Sequence, residues 1–192
     1  MSENAREAIL AAAKAAAQVH GYSGINFRNI GEAVGIKNAS IYYHFPSKAD
    51  LGAAVARRYW QDTAAVLDAL RDPDPSRSLQ HYPSTFRTSL EHANRLCMAS
   101  FMAAEYEDLP EEVKVEVKAF ADTNVAWLTD VLIDAGLGDS ASCERRARSI
   151  YTAVAGAQLM ARIRCDIGLF DELILTYQEA GLIPVRQIQA SR

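Results

Sequence analysis

The sequence predicts an all-α protein. Apolar residues recur at intervals of three and four along almost every segment, which places them on one face of a helix. No stretch alternates apolar and polar residues for long enough, with enough β-branched side chains, to favour a strand. With 192 residues, the chain is long enough to bury a sizeable core without disulfides or metals.

Three helices are expected first, and they would form a small N-terminal bundle. They cover residues 5–20, 27–34 and 39–45, and we expect them to end at Gly21, Gly35 and Pro46, respectively. Asn26 is a candidate N-cap for the second helix, because its side-chain oxygen can accept from the first free backbone N–H groups.

A C-terminal bundle of about six helices is expected to follow. Its clearest segments are about 48–70 and 84–106, opened by Ser47 and Ser84, then about 110–135, 140–165 and 170–180. Residues 71–83 contain three of the six prolines and predict a loop. The tail from Arg186 is polar.

Composition argues against several classes of protein. No run approaches the ~18 to 20 apolar residues that cross a bilayer, and the charged N-terminus does not resemble a signal peptide, so we expect a cytoplasmic protein. The three cysteines form no C-x-x-C pair. There is no H-E-x-x-H, no glycine-rich phosphate loop and no G-x-S-x-G. We therefore expect no metal, no cofactor and no enzymatic activity.

Charge is distributed unevenly along the chain. The formal net charge of -4 taken alone argues against a nucleic-acid binder. Residues 1–58, however, hold seven Lys and Arg against four Asp and Glu, a charge of +3. The remainder holds 13 against 20, a charge of -7. A weakly basic N-terminal piece therefore precedes an acidic body.

Residues 26–51 carry the strongest functional signal, with the sequence NFRNIGEAVGIKNASIYYHFPSKADL. They predict a helix, a tight turn at residues 35–37 and a second helix. This is a helix-turn-helix, whose second helix can enter a DNA major groove. The apolar residues that would pack the two helices together are Ile30, Val34, Ile36 and Ile41.

This segment resembles the DNA-binding domain of the TetR family of transcriptional regulators. The matching residues are Ile30, Ala33, Gly35, Ile36, Ser40 to Phe45, Lys48 and Leu51, within a resemblance that covers about residues 5–58. The family usually has alanine at the position of Gly31 and glycine at that of Ala39. The resemblance implies a homodimeric repressor that reads a palindromic operator, with a DNA-binding domain at residues 1–47. It also implies that residues 48–192 form a domain that dimerises and binds a small-molecule effector.

Ten residues are candidate DNA contacts. Asn26 and Arg28 are expected at a phosphate or a base edge, Lys37, Asn38, Ala39, Ser40 and Tyr42 in the major groove, and Tyr43, His44 and Lys48 on the phosphate backbone. Two alternatives are that Tyr42 is a core aromatic residue and that Tyr43 is exposed without contacting DNA.

Six residues are candidates for the wall of an effector pocket, since they place polar or aromatic groups within apolar helical stripes. They are Cys97, Phe101, Asn124, Trp127, Tyr151 and Gln158. An ordinary helical core with satisfied polar groups is the alternative for each of them. For Cys97 the choice lies between an oxidant-sensing thiol and a small buried side chain.

The last two long helices are the candidate dimer interface. Small residues in the first of them would permit close helix packing, and the second has an apolar face. The residues concerned are Ala153, Ala155, Gly156, Ala157 and Ala161, then Phe170, Leu173, Ile174 and Tyr177. Packing inside one subunit is the alternative.

The alternative function is that of a non-specific architectural DNA-binding protein. The small N-terminal charge argues against this function.

Overall fold

The protein is all-helical in the computed structural model, which describes the backbone of residues 2–185 and the side chains of residues 4–185. The α-helices are α1 (Ser2–His20), α2 (Phe27–Val34), α3 (Asn38–His44), α4 (Lys48–Ala69), α5 (Pro75–His81), α6 (Ser84–Glu91), α7 (Met98–Ala104), α8 (Glu111–Asp134), α9 (Ser140–Arg164) and α10 (Ile167–Glu179). Short 3-10 turns lie at Tyr22–Gly24 and Tyr106–Asp108. Residues 2–185 contain no strand, so the predicted fold class is confirmed. The predicted polar tail lies outside the described residues.

Local signals place the ends of the N-terminal helices where the sequence predicts them. Asn26 Oδ1 accepts from the backbone N–H of Arg28 and Asn29, at 2.9 and 3.2 Å, and thereby caps α2. Gly35 ends α2 with a φ of 75°, a conformation that favours glycine. Ser47 Oγ accepts from the backbone N–H of Asp50 at 3.0 Å at the start of α4.

The prediction of a loop over residues 71–83 is wrong, because the segment contains α5. Asp74 caps this helix through a bond of 3.0 Å from the backbone N–H of Ser76 to its Oδ1. Pro75 occupies the first helical position, where a missing N–H removes no intrahelical bond. Asp followed by Pro is therefore a start signal here.

The predicted helix over residues 84–106 is also wrong, since α6 and α7 are separate. Ala93 and Asn94 have φ values of 60° and 53°, which break the helix. Asn94 Nδ2 donates to the carbonyl of Arg162 at 3.0 Å, and Arg162 Nη1 donates to the carbonyl of Asn94 at 3.1 Å. The end of α9 thus supplies hydrogen-bond partners for the side chain and the backbone carbonyl of Asn94 in this turn. Ser84 does not cap α6, since its Oγ donates to the carbonyl of His81.

The ends of α9 and α10 depend on aspartates and one arginine. Asp139 caps α9, and the hydrogen bonds from Ser142 hold the pKa of the Asp139 carboxyl below its usual value. Asp166 starts α10 at Ile167, three residues before the predicted start. Arg146 donates to the carbonyls that follow α10, at Gly181 and Leu182, so it has a capping role.

The chain divides into two compact units. The head unit is Met1–Asp62 with Cys97–Ala121, and the body unit is Thr63–Leu96 with Asp122–Arg192. The head core joins N-terminal residues such as Ile41 and Phe45 to Met98 and Met102 of α7. The predicted functional division at residues 47 and 48 therefore differs from the packing units, because α7 and the start of α8 complete the head core. No described helix is both long and apolar enough to cross a membrane.

Gly31 is required by close packing inside the helix-turn-helix. It is buried, and a Cβ at this position would lie 2.9 Å from both Asn38 Oδ1 and the carbonyl oxygen of Ile36. The same turn is held by bonds from the N–H groups of Gly35 and Ile36 to the Gly31 carbonyl, at 2.9 and 3.0 Å. The absence of a side chain thus lets the turn approach α2.

Gly31→Ala is expected to destabilise the protein by about 1–3 kcal/mol, because the new methyl group would displace the backbone of the turn. Helix propensity alone predicts the opposite, a gain of about 1 kcal/mol. Urea unfolding followed by circular dichroism measures the difference. Ala33→Gly, at an exposed position of the same helix, is the control for propensity. A Gly31→Ala variant more stable than the parent would contradict the steric explanation.

Candidate nucleic-acid interface

The helix-turn-helix is fixed from its inner side by the head core. Ile30 and Ile41 are buried in this core, and Val34 and Ile36 pack against it, as their spacing predicts. Phe45, directly after α3, is buried as well. Because these side chains anchor both helices, the outer face of α3 has a defined orientation.

The candidate DNA contacts lie on the surface of the head unit. The exposed members are Asn26, Arg28, Lys37, Asn38, Ala39, Ser40, Tyr42 and Tyr43, and the half-buried members are His44 and Lys48. Asn26 and Arg28 already have polar partners in the α2 segment. The side-chain oxygen of Asn26 caps α2, and Arg28 Nε lies 3.2 Å from Glu32 Oε1.

The two tyrosines of α3 differ in their surroundings. Tyr42 is 56% exposed, and its ring packs edge-on against Phe27 with 4.7 Å between centroids. Tyr42 is therefore no core residue. Tyr43 is 81% exposed and meets the ring of His44 at 5.2 Å. A phenol that exposed is free to donate its hydroxyl hydrogen to a phosphate oxygen.

Lys48 is held over an aromatic ring at the start of α4. Its Nζ lies 4.4 Å from the centroid of Tyr22 and 3.4 Å from the carbonyl oxygen of Ser23. Burial raises the pKa of Tyr22, and the charge of Glu112 raises it further, so the ring stays neutral. An ammonium group has three N–H donors, and the bond to Ser23 leaves others for a phosphate.

Most cations of residues 4–58 are paired with acids of the same unit. Arg57 donates two bonds to the buried carboxylate of Glu116, which also accepts from Trp60 Nε1 at 2.7 Å. This hydrogen bonding raises the pKa of Arg57. Arg58 bonds Glu7 and Asp62. Within this range Lys37 and Lys48 have no acidic partner, so the electrostatic attraction to DNA depends on few groups.

Sequence reasoning missed Tyr22 and Glu105, the two residues that support Lys48. Glu105 follows α7, and its carboxylate accepts from the backbone N–H of Tyr22 at 2.6 Å and of Ser23 at 3.4 Å. These residues lie 83 and 82 positions from Glu105 in the chain. A separation of this size leaves no pattern in a local window of sequence.

The six candidate effector residues do not share one unit. Cys97 and Phe101 belong to the head unit, and the other four belong to the body unit. Cys97 lies directly before α7 rather than within a helix, is buried, and accepts a 3.5 Å hydrogen bond from the hydroxyl of Tyr59. Phe101 packs at Gly21, where a Cβ would lie 2.6 Å from its ring.

The four candidates of the body unit lie around a buried aromatic group, which we call the Tyr82 cluster. Its members are Tyr82, Phe86, Asn124, Trp127, Tyr151 and Gln158. The hydroxyl of Tyr82 donates to Asn124 Oδ1 at 3.0 Å, and the Tyr82 ring stacks on Trp127 with 5.9 Å between centroids. The indole N–H of Trp127 is buried and has no hydrogen-bond partner among the described residues. Sequence reasoning missed Tyr82 because it assigned the residue to a loop.

Comparison with known proteins identifies the family. Residues 9–55 match the family model described as bacterial regulatory proteins, tetR family. A TetR transcriptional regulator from Legionella pneumophila is 31% identical over 91% of this chain and 95% of its own, with a TM-score of 0.85. The chain belongs to the TetR family. This family consists of DNA-binding transcriptional regulators, so the helix-turn-helix is the DNA-binding element of the present regulator.

Further solved structures have the same fold as this TetR-family regulator. A TetR-family regulator from Agrobacterium tumefaciens is 29% identical over 94% of this chain and 98% of its own, with a TM-score of 0.86. FadR from Bacillus subtilis, solved in complex with stearoyl-CoA, is 12% identical over 94% and 99%, with a TM-score of 0.72. No curated protein sequence matched the chain.

Proposed function

We propose that this TetR-family protein is a homodimeric repressor that binds a palindromic operator and is released by a small-molecule effector. The observation that carries the proposal is the outward face of α3, where Asn38, Ala39, Ser40, Tyr42 and Tyr43 are exposed, whereas Ile41 and Phe45 are buried and anchor the helix from behind. Residues 1–47 read DNA, and residues 48–192 dimerise and bind the effector. Its DNA target places the protein in the cytoplasm.

Each part of the interface has its own role in this proposal. The short side chains of Ala39 and Ser40 let α3 approach base edges closely in the major groove, with Lys37, Asn38 and Tyr42 beside them. Arg28 contacts the backbone or a base edge, and Asn26 acts mainly as the cap that orients α2. Tyr43, His44 and Lys48 hold the phosphate backbone and set the register of α3.

The proposed dimer interface is an exposed apolar stripe of α9. Gly156, Leu159, Met160 and Ile163 are exposed at helical spacing. Other small or apolar residues predicted for the interface are buried inside the subunit instead; these are Ala157, Ala161, Phe170 and Ile174. The stripe would meet its copy across a two-fold axis, and α10 would join it through the exposed Leu175.

The proposed effector site is the Tyr82 cluster of the body unit. Its aromatic rings suit a small apolar or amphipathic molecule, and the unpaired indole N–H of Trp127 suits a hydrogen-bond acceptor on that molecule. A buried donor without a partner costs free energy, which an acceptor on the ligand would recover. Effector and operator then weaken each other's binding reciprocally. Cys97 and Phe101 act in the head unit rather than as pocket wall.

Tyr43→Ala and Lys48→Ala are expected to weaken operator binding in different ways. Each removes one contact per head, which corresponds to a loss of about 10- to 100-fold for the dimer. Lys48→Ala should also make the slope of log K against log salt shallower by about 1.8, or 0.9 per lost phosphate contact. Tyr43→Ala should leave the slope unchanged, because the phenol is neutral. Fluorescence anisotropy at several salt concentrations, on a duplex selected from a random pool by the parent protein, measures both quantities.

Two surface residues of the same types serve as controls. Tyr106→Ala replaces a tyrosine that is 52% exposed outside the helix-turn-helix segment, and Lys118→Ala replaces an exposed lysine of α8. Both should bind the selected duplex like the parent. Unchanged affinity of the Tyr43 and Lys48 variants would contradict the proposed contacts. Equal affinity of the parent for selected and random duplexes would favour an architectural protein instead.

A further inference from the structure

Glu105 connects the end of α7 to the turn between α1 and α2. Its Oε2 accepts from the backbone N–H of Tyr22 at 2.6 Å, and its Oε1 accepts from that of Ser23 at 3.4 Å. These two N–H groups lie in the 3-10 turn Tyr22–Gly24. One carboxylate therefore holds two successive backbone groups of the turn.

Gly21 makes this contact sterically possible. Its φ is 65°, and a Cβ at this position would overlap the carboxylate of Glu105 and lie 2.6 Å from the Phe101 ring. A side chain at residue 21 would thus displace Glu105 or the turn. Gly21 therefore permits the close approach of Phe101 and Glu105 to the Tyr22–Gly24 turn, in addition to ending α1.

The other side of the same turn holds Lys48. The Tyr22 ring lies beneath the Lys48 ammonium, 4.4 Å from Nζ, and the Ser23 carbonyl accepts from it at 3.4 Å. Gly52 lets the ring lie close against α4, because a Cβ at this position would lie 2.6 Å from it. Glu105, the turn and Lys48 form a continuous series of contacts, all within the head unit.

We propose that Glu105 is a positioning residue for DNA binding, which holds the Tyr22–Ser23 turn so that the Lys48 ammonium faces the phosphate backbone. This rests on the proposed phosphate contact of Lys48. Because Glu105 follows α7 directly, a displacement of α7 withdraws the carboxylate, frees the turn and releases Lys48. The contact gives α7 a direct effect on affinity for DNA.

The test compares Glu105→Ala with Glu105→Gln by anisotropy on the selected duplex at several salt concentrations. Glu105→Gln removes the charge and keeps an oxygen that accepts from the turn, so affinity within about twofold of the parent and an unchanged salt slope are expected. Glu105→Ala should weaken binding and make the slope shallower by about 1.8, the value for Lys48→Ala. Glu107→Ala, at an exposed position of the same segment, has the same charge change and should leave the slope unchanged.

A double variant shows whether Glu105 acts through Lys48. In the Lys48→Ala background, Glu105→Ala should cause no further loss of affinity. Independent losses that multiply would overturn the proposal, and so would tighter binding by both Glu105 variants, which indicates simple repulsion between the carboxylate and DNA. If Lys48→Ala itself leaves the slope unchanged, the proposed phosphate contact fails. If Lys48→Ala acts and Glu105→Ala does not, only the positioning role fails.

Tyr22→Leu keeps the proposal falsifiable should Glu105→Ala not fold. This variant retains the N–H group that Glu105 holds and removes the ring beneath Lys48. It should reproduce the shallower slope of Lys48→Ala, whereas an unchanged slope would overturn the role of the turn. For each variant we would also measure the thermal unfolding midpoint and the fraction of protein that binds the selected duplex. These two measurements distinguish mispositioning of Lys48 from loss of folded protein.

Discussion

Ile163→Asp is expected to produce a monomer and to lower affinity for the selected duplex by about 10²–10⁴-fold, the gain that two linked binding sites provide. Ile163 is 66% exposed on α9, beside the exposed Leu159 and Met160. A carboxylate within this stripe would be buried against its copy without a partner, at a cost far above that of an exposed charge.

Loss of the dimer should affect DNA binding strongly because each head is weakly charged. Residues 1–58 carry a charge of only +3, and most of their cations are paired internally. A single head therefore makes few phosphate contacts, and tight binding requires two heads on one duplex.

Analytical ultracentrifugation and anisotropy on full and half-site duplexes measure this prediction. Ile133→Asp is the matched control, because Ile133 is 41% exposed on α8, outside the stripe. The control should remain a dimer with parental affinity. A dimeric Ile163→Asp protein would show that the stripe of α9 is not the interface.

Met102→Ala is expected to lower the free energy of unfolding of the head unit by about 2–5 kcal/mol, the usual cost of emptying a buried methionine site. Met102 is fully buried in the core that also contains Ile41 and Phe45. Since that core positions α3, operator affinity should fall with the folded fraction. The result would mean that residues 97–121 are part of the folding unit of the DNA-binding head.

Each unit contains one of the two tryptophans, which permits the head to be monitored separately. Trp60 lies in the head unit and Trp127 in the body unit. In a Trp127→Phe background, urea unfolding followed by fluorescence therefore reports on the head. Val113→Ala and Val115→Ala form a matched pair on α8, since the first side chain is fully buried and the second is 57% exposed. Met102→Ala as stable as Val115→Ala would contradict the prediction.

The helix-turn-helix could be predicted because its signals are local. The cap at Asn26, the left-handed Gly35 and the apolar spacing of Ile30 and Ile41 all act over a few residues. The helical periodicity of α8 is local as well, and six residues at intervals of three and four along it are buried: Val113, Val117, Phe120, Asn124, Trp127 and Val131.

One error, the continuous helix over residues 84–106, lies where distant contacts oppose local preference. Residues 84–106 have helical periodicity throughout, yet Asn94 takes a left-handed conformation because Arg162, 68 positions away, bonds its backbone. The missed helix α5 is a different case. Its Asp74–Pro75 start signal is local, and the number of prolines in the segment outweighed it.

The candidate site was predicted only in part. The exposed face of α3 followed from the motif, whereas the support of Lys48 by Tyr22 and Glu105 did not. The effector candidates were chosen by type along apolar stripes, a criterion that does not distinguish residues of one unit from those of the other. Tertiary packing put Cys97 and Phe101 in the head unit and Asn124 beside Tyr82.

By itself, the sequence determined the helical class, the helix-turn-helix and the family, because periodicity, caps and turn residues act between near neighbours. Only the tertiary structure decided that α7 completes the head core, that Gly31 is needed for close packing and that Glu105 holds the turn beneath Lys48. The contacts of α7 and Glu105 join distant parts of the chain, and the need for Gly31 arises from the close approach of the turn at Ile36 and Asn38, which helix propensity does not show.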